Sequence, residues 1–293
     1  MIWRCGRFTF DLTSPVVMGI LNVTPDSFSD AGEFYALNRA LEQGDRLLAE
    51  GADLIDIGGE STRPGADEVS IDEELARVLP VVSFFVEQGA AVSVDTRHVE
   101  VATACIEAGA AVINDVSGFR DPAMHRLVAD SDVGCVVMHM LGEPKSMQVD
   151  PFYDDVVAEV KAYLLKQAGL LESSGVNHES ICIDPGPGFG KVFSHNLSLL
   201  QATSELAGLG YPLMAAYSRK GFIGSLAGIE VAADRVTASV LVAAWAVMQG
   251  ARVVRVHDVL PTVQALAVLK GIGAVEGSSS VGTPNSVGVH PDA

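Results

Sequence analysis

Positive charge is scarce in this chain: 19 Lys and Arg stand against 37 Asp and Glu, a formal net charge of −18. That balance argues against binding nucleic acid or an anionic membrane through a basic face, and it makes the places where cations gather informative. Long apolar runs are also missing. No stretch reaches the roughly 18 uninterrupted apolar residues that a membrane-spanning helix needs. Yet 48% of the residues are hydrophobic and the mean hydropathy is +0.31, ample material for a core. Cys5, Cys105, Cys135 and Cys182 show no CxxC spacing and read as buried free thiols of a reducing compartment. The opening MIWRCGRFTFDL interrupts its apolar pattern with charge and lacks a signal-peptide core. The expected location is the cytoplasm.

What the chain has instead is a rhythm of short apolar runs, each ending in polar residues. VVMGILN stops at Asn22, LIDIGGE at Asp56 and Glu60, and AVSVD at Asp95. AVIND stops at Asn114 and Asp115, CVVMH at His139, ICID at Asp184, LMAAYSRK at Ser218–Lys220, and VVRVHD at Arg255, His257 and Asp258. Continuous Val/Ile/Leu runs suit parallel strands buried on both faces, and polar groups at their carboxyl ends mark the ligand side of α/β folds. The strands are expected at Val16–Asn22, Leu54–Ile57, Ala91–Asp95, Ala111–Asn114, Gly134–Met138, Ser180–Asp184, Leu213–Ala216 and Arg252–Val256.

Helical stretches lie between them, near Leu37–Glu50, Asp72–Gln88, Val99–Ala108, from Pro122, and over Tyr153–Ser173, Ser194–Leu206, Ala232–Gly250 and Pro261–Ile272, with a break around Gly221–Gly228. About eight strand–helix units predict an α/β fold, a TIM (β/α)8 barrel; a doubly wound open sheet is the rival. Residues 2–12 suggest a short N-terminal hairpin or plug. Residues 1–275 read as a single barrel domain and 276–293 as a flexible, disordered tail. The stretch VTASVLVAAWAVM is apolar on nearly every face, which predicts burial against a second copy in a homodimer.

GPGFGK at Gly186–Lys191 invites a phosphate-loop reading but is one residue short of that pattern, and Val192 stands where Ser or Thr would bind magnesium. Its glycines read better as letting backbone approach a flat ligand beside Asp184.

Taken together, MGILNVTPDSFSD, GGESTRPGA, SVDT, INDVSG, VMHMLGEPKSMQ, DPGPGFGK, SRKGFIG and RVHDV, in that order from Met18 to Val259, closely resemble the dihydropteroate synthase family. The resemblance spans about Val16 to Leu269. It implies a TIM barrel, usually dimeric, that joins p-aminobenzoate to 6-hydroxymethyl-7,8-dihydropterin pyrophosphate and releases pyrophosphate, the target of sulfonamides. By resemblance, the pterin contacts are Asp95, Asn114, Asp184 and Lys220, with Met138 and Phe189 as apolar walls. Carboxylate and carboxamide groups suit a heterocyclic edge with donors and an acceptor side by side. Asn22, Arg63, Arg255 and His257 fall on the pyrophosphate side, Asn22 also offering an oxygen to Mg2+. Phe28, Thr62, Pro64, Lys220 and Gly221 make the aminobenzoate pocket. Asp95, Lys220, Arg255 and His257 are the expected catalytic groups.

The chain departs from the family pattern at Gly221, where Ser is usual, at Ala216 and Tyr217 before the SRK run, and at Leu141. These changes bear on aminobenzoate and sulfonamide binding and leave every catalytic group in place. A pterin-dependent methyltransferase would need no pyrophosphate site, and a non-catalytic paralogue would bind pterin without turnover; both are alternatives.

Overall fold

The computed structural model describes residues 1–24, 33–60, 68–143 and 145–275, with no side chains for 33–36. The expected tail at 276–293 lies outside them. Eight strands form one parallel sheet: β3 (Val16–Asn22), β4 (Leu54–Gly58), β5 (Val92–Asp95), β6 (Val112–Asp115), β7 (Gly134–Met138), β8 (Ile181–Asp184), β9 (Met214–Ala215) and β10 (Val253–Val256). Their order is β8-β7-β6-β5-β4-β3-β10-β9. A parallel bridge between Ile183 and Leu213, with Ile183 N–H donating to Pro212 O at 2.9 Å, ties β9 back to β8 and closes the ring. The barrel is therefore the fold, and the open-sheet rival is excluded.

The expected hairpin is present as β1 (Ile2–Cys5) and β2 (Phe8–Asp11), antiparallel with Cys5 opposite Phe8. It closes the amino-terminal end of the barrel. Trp3, fully buried, donates its Nε1–H to Ser180 O at 3.1 Å, and Gly6 N–H donates to Asp132 O just before β7. Trp3, Cys5 and Leu12 join Val16, Met18, Leu54, Val112, Val136, Cys182 and Val253 in one apolar cluster inside the barrel. All four cysteines are buried and free.

Around the sheet run α1 (Glu33–Ala49), α2 (Ile71–Glu87), α3 (Val99–Glu107), α4 (Pro122–Ala129), α5 (Val156–Ser173), α6 (Phe193–Gln201), α7 (Thr203–Ala207), α8 (Gly221–Ala227), α9 (Val236–Met248) and α10 (Val259–Gly271). The larger core cluster fills the space between these helices and the outward faces of the strands.

Three expectations need correction. The break at 221–228 is a helix, α8, ended by Gly228 in the left-handed region at φ 68°. The single helix at 194–206 is two, because Thr203 Oγ1 donates to Leu200 O at 2.5 Å and diverts a helical carbonyl. The helix expected from Tyr153 starts at Val156, where Asp155 caps the amides of Val157 and Ala158 at 3.0 Å each, while Tyr153 turns inward to donate to Gly190 O. Among the described residues no single helix is long and apolar enough to cross a membrane.

Candidate active site

A strand sends every second side chain to the same face. The residue two places after each buried apolar one inside the barrel therefore also points inward, one layer nearer the carboxyl end. Leu54 is followed by Asp56, Val112 by Asn114, Val136 by Met138, Cys182 by Asp184 and Val253 by Arg255. The polar stops thus converge because of register, with Asp95 paired to Asn114 across β5–β6 and Met138 to Asp184 across β7–β8.

Arg255 crosses this layer. Its Nε donates to Asp56 Oδ2 and its Nη2 to Asp95 Oδ2, both at 2.6 Å, and Asn114 Nδ2 donates to the same Asp56 oxygen at 3.0 Å. Burial pushes the Asp95 carboxyl upward, to about 7. Arg255 opposes the rise, and the negative charge of Asp56 adds to it. Asp184 is also raised, chiefly by burial, although its Oδ1 accepts the Gly186 amide at 2.8 Å. Lys220 is pulled down to about 8, first by burial and then by Arg255, against the opposing pull of Asp184 and Asp95.

Two loops complete the mouth. After β8 the chain turns through Gly186 at φ 63°, where a Cβ would lie 1.9 Å from His139 O, so only glycine fits. That turn brings Phe189 over the small apolar cluster of Val116, Met138, Met140 and Met147, and Lys220 Nζ stands 4.4 Å from the Phe189 ring centre. After β9, Arg219 sits in the left-handed region at φ 59°. Ser239 Oγ accepts its amide at 2.9 Å, Arg235 donates to its carbonyl at 2.9 Å, and its guanidinium grips Asp258 at 2.9 and 2.5 Å. On one side of this held residue Ser218 Oγ accepts the His257 amide at 3.2 Å and lies 3.0 Å from His257 Nδ1. Ser218 Oγ and His257 Nδ1 thus share a hydrogen bond that holds the imidazole ring at the strand end.

The result is a cleft of about 790 Å³ at the carboxyl ends of the strands. Asn22, Asp95, Phe189, Lys220, Gly221, Arg255 and His257, all named from sequence, line it. Asn114, Met138 and Asp184 do not; they are buried at 4%, 3% and 3% exposure, Asn114 in register with Asp95 and Met138 packed with the lining residues Met147 and Phe189. Phe28, Thr62, Arg63 and Pro64 lie outside the described residues. Of the cations named from sequence, Arg219, Lys220 and Arg255 line the cleft, and two of them are paired: Arg219 with Asp258 and Arg255 with two carboxylates. Among the described residues no group of three or more His, Cys, Asp or Glu could hold a metal ion.

The model of the pterin binding enzyme family matches residues 18–257. The dihydropteroate synthase of Neisseria meningitidis serogroup C is 46% identical over 277 residues, covering 93% of this chain and 98% of the relative. The chain belongs to the dihydropteroate synthase family. The synthase of Xanthomonas albilineans, solved with 4-aminobenzoic acid, superimposes with a TM-score of 0.86 at 47% identity, covering 91% of this chain and 96% of that one. That of Burkholderia cenocepacia, solved with 7,8-dihydropteroate, gives 0.85 at 46% identity, covering 93% and 96%.

The departures from the dihydropteroate synthase pattern separate by position. Ala216 and Gly221 line the cleft, whereas Tyr217 and Leu141 do not. Tyr217 is buried in the outer core, edge-on to Phe222 at 6.0 Å, so its bulk bears on packing rather than on the mouth. Sequence reasoning marked Asp56 as a polar stop and gave it no role; the structure makes it the anchor of Arg255. Its place two residues after Leu54 was the available signal. The ties through Ser218, Arg219, Asp258 and Lys191 join residues far apart in the chain and had no local signature.

Proposed function

We propose that the cleft joins p-aminobenzoate to 6-hydroxymethyl-7,8-dihydropterin pyrophosphate, giving 7,8-dihydropteroate and pyrophosphate. The observation that carries this reading is the meeting of Asp95, Phe189, Lys220, Arg255 and His257 on one cleft at the strand ends. Asp95, Asn114, Asp184 and Lys220 read the pterin edge, and Phe189 with Met138 walls its face. The arylamine nitrogen attacks the pterin methylene as the carbon–oxygen bond to pyrophosphate breaks, and the proton on the new secondary amine is then lost. Positive character building on the methylene faces the Asp95 carboxylate. Negative charge on the departing oxygens faces Arg255, whose Nε and Nη2 are held by Asp56 and Asp95, and the His257 ring, and Arg63 is given the same role. An arylamine carries a usable lone pair and needs proximity more than a strong base. The aminobenzoate pocket falls to Phe28, Thr62 and Pro64 with Lys220 and Gly221.

Asn22 is the residue that would hold Mg2+, and the set fits that ion. A carboxamide oxygen is a hard donor, and magnesium typically takes one or two protein oxygens with substrate phosphates supplying more. Bound there, the ion would neutralise charge on the pyrophosphate.

A homodimer is part of the same reading. Leu241 and Met248 on α9 are 69% and 48% exposed, and Val268 on the neighbouring α10 and Ile272 just after it are 61% and 71% exposed. A second copy on that face would remove this apolar surface from water. Four buried free thiols support the cytoplasm as the compartment.

The deciding experiment is pyrophosphate release from the pterin pyrophosphate with and without p-aminobenzoate, in Mg2+ and in chelator. Release that requires aminobenzoate supports the synthase; pterin binding with no turnover sinks it.

A further inference from the structure

Lys191 ends the glycine-rich run that resembles a phosphate loop, yet its ammonium is bonded to protein acceptors. The residue borders the cleft but is only 3% exposed. Its Nζ lies 2.9 Å from Gly186 O, 2.9 Å from Phe189 O, 2.9 Å from His139 Nδ1 and 3.2 Å from His139 O. All four are acceptors, provided that His139 is neutral with its proton on Nε2. Burial and the adjacent Lys191 charge keep it neutral. Burial pulls the Lys191 amine well below the usual lysine range, with Asp184 opposing, and its N–H groups are matched by a cage of acceptors from two places: the end of β7 and the loop after β8.

What the ammonium holds is the pterin wall. Gly186, whose carbonyl it grips, donates its amide to Asp184 Oδ1 at 2.8 Å. Phe189, gripped the same way, offers its ring to Lys220. Asn196 finishes the brace, accepting the Gly188 amide at 2.6 Å and donating to Lys191 O at 3.1 Å. With the ammonium removed, the His139 and Phe189 carbonyls and the His139 ring nitrogen lose this donor, while Gly186 O keeps the Phe189 amide at 3.2 Å. The loop then loses its bonds to His139 after β7, while Tyr153 and Gln148 still hold Gly190 and Gly188.

We propose that Lys191 is a positioning residue for pterin recognition: bonded to Gly186, Phe189 and His139, it sets the Asp184 carboxylate and the Phe189 ring that the heterocycle meets. This rests on the pterin substrate proposed above and assigns no phosphate contact to Lys191.

The test compares wild type, Lys191→Met, His139→Gln and His139→Met by calorimetric titration with 6-hydroxymethyl-7,8-dihydropterin pyrophosphate and separately with inorganic pyrophosphate, alongside steady-state kinetics. Lys191→Met should weaken pterin pyrophosphate binding at least tenfold. Inorganic pyrophosphate affinity, the aminobenzoate KM at saturating pterin, and kcat should stay within about threefold. His139→Gln, which keeps an acceptor for Nζ, should bind pterin nearly as wild type does, and His139→Met should not. Equal loss of inorganic pyrophosphate affinity would make Lys191 a phosphate ligand and overturn the proposal. So would a lower melting temperature with pterin affinity unchanged. Should Lys191→Met fail to fold, the two His139 variants decide alone: equal pterin affinity in both refutes the brace. Wild type that binds pterin pyrophosphate without aminobenzoate-dependent turnover defeats the synthase reading and leaves this comparison intact.

Discussion

The inside of the barrel has two halves built on the same strands. The amino-terminal half is closed by the hairpin and filled by Trp3, Met18, Leu54, Val112, Val136 and Val253. Two residues along each strand, the carboxyl-terminal half holds Asp56, Asp95, Asn114, Asp184 and Arg255. One half is dry, and burial there stabilises in proportion to apolar area. The other gathers buried charges whose desolvation cost is offset only by pairing with one another. Asp56 shows the incompleteness of that pairing: its Oδ1 is buried with no hydrogen-bond partner, as is Ser93 Oγ on the adjacent strand in register. Stability and chemistry are thus separated by one layer of side chains, about 7 Å of strand.

The sharpest way to break the comparison is Asp95→Asn. Loss of the carboxylate facing the methylene should cut kcat/KM by about 10²–10³-fold, the scale of removing one preorganised electrostatic contact. Folding should change little, because burial already disfavours the charged form. Pyrophosphate release and thermal melts read the two effects, and activity within tenfold of wild type would deny the upper half its chemistry. Trp3→Ala is the converse. A fully buried indole lost from the lower half should cost about 3–5 kcal/mol in urea unfolding, with KM values of the folded enzyme unchanged.

Next in size is the pH dependence. Asp95 acts as a carboxylate and Lys220 as an ammonium, so kcat/KM should fall below about 7 and above about 8. Arg255→Met removes the cation that lowers Asp95, so the acid limb should move to higher pH, while Trp3→Ala should move neither limb. For folding the sign is the reverse of the usual carboxylate case. The folded pKa of Asp95 lies above the ordinary aspartate value of 3.8, so its contribution to stability declines as pH rises from about 4 to about 7. The smallest effect belongs to Gly221→Ser. A Cβ there meets no atom within 4 Å, so stability should hold. A hydroxyl that bonds the substrate carboxylate, at about 0.5–1.5 kcal/mol, should lower the aminobenzoate KM about two- to tenfold. An unchanged KM would show that Gly221 does not set arylamine affinity.

Most of the barrel was legible because a buried parallel strand leaves a strong one-dimensional trace: an apolar run of four to seven residues with a polar stop. β3, β7 and β8 are found within one residue of their expected bounds. β9, with two residues, is shorter than the run Leu213–Ala216 suggested, since ring closure there rests on a single bridge. Helix α8 was missed because Gly221, Gly224 and Gly228 read as a break. The close approach of Arg235, whose Nε would lie 2.4 Å from a Cβ at Gly224, is the tertiary reason for a glycine within that helix. Asp95, Lys220, Arg255 and His257 were legible as residues of the cleft because they end or follow strands. The Asp56–Arg255 pair spans 199 positions and left no trace in either run.

By itself the sequence determined the period-two and period-3.6 patterns, and with them the strand–helix alternation and the residues that end each strand. These are local properties, fixed by side-chain direction along a strand and by the motifs that carry the family resemblance. Only the tertiary structure decided which of those ends meet. Barrel closure and register place Arg255 between Asp56 and Asp95, hold Arg219 in a left-handed turn against Asp258, and turn the Lys191 ammonium inward to brace the Phe189 wall. Charge pairing between strands depends on distance in space, and distance along the chain does not set it.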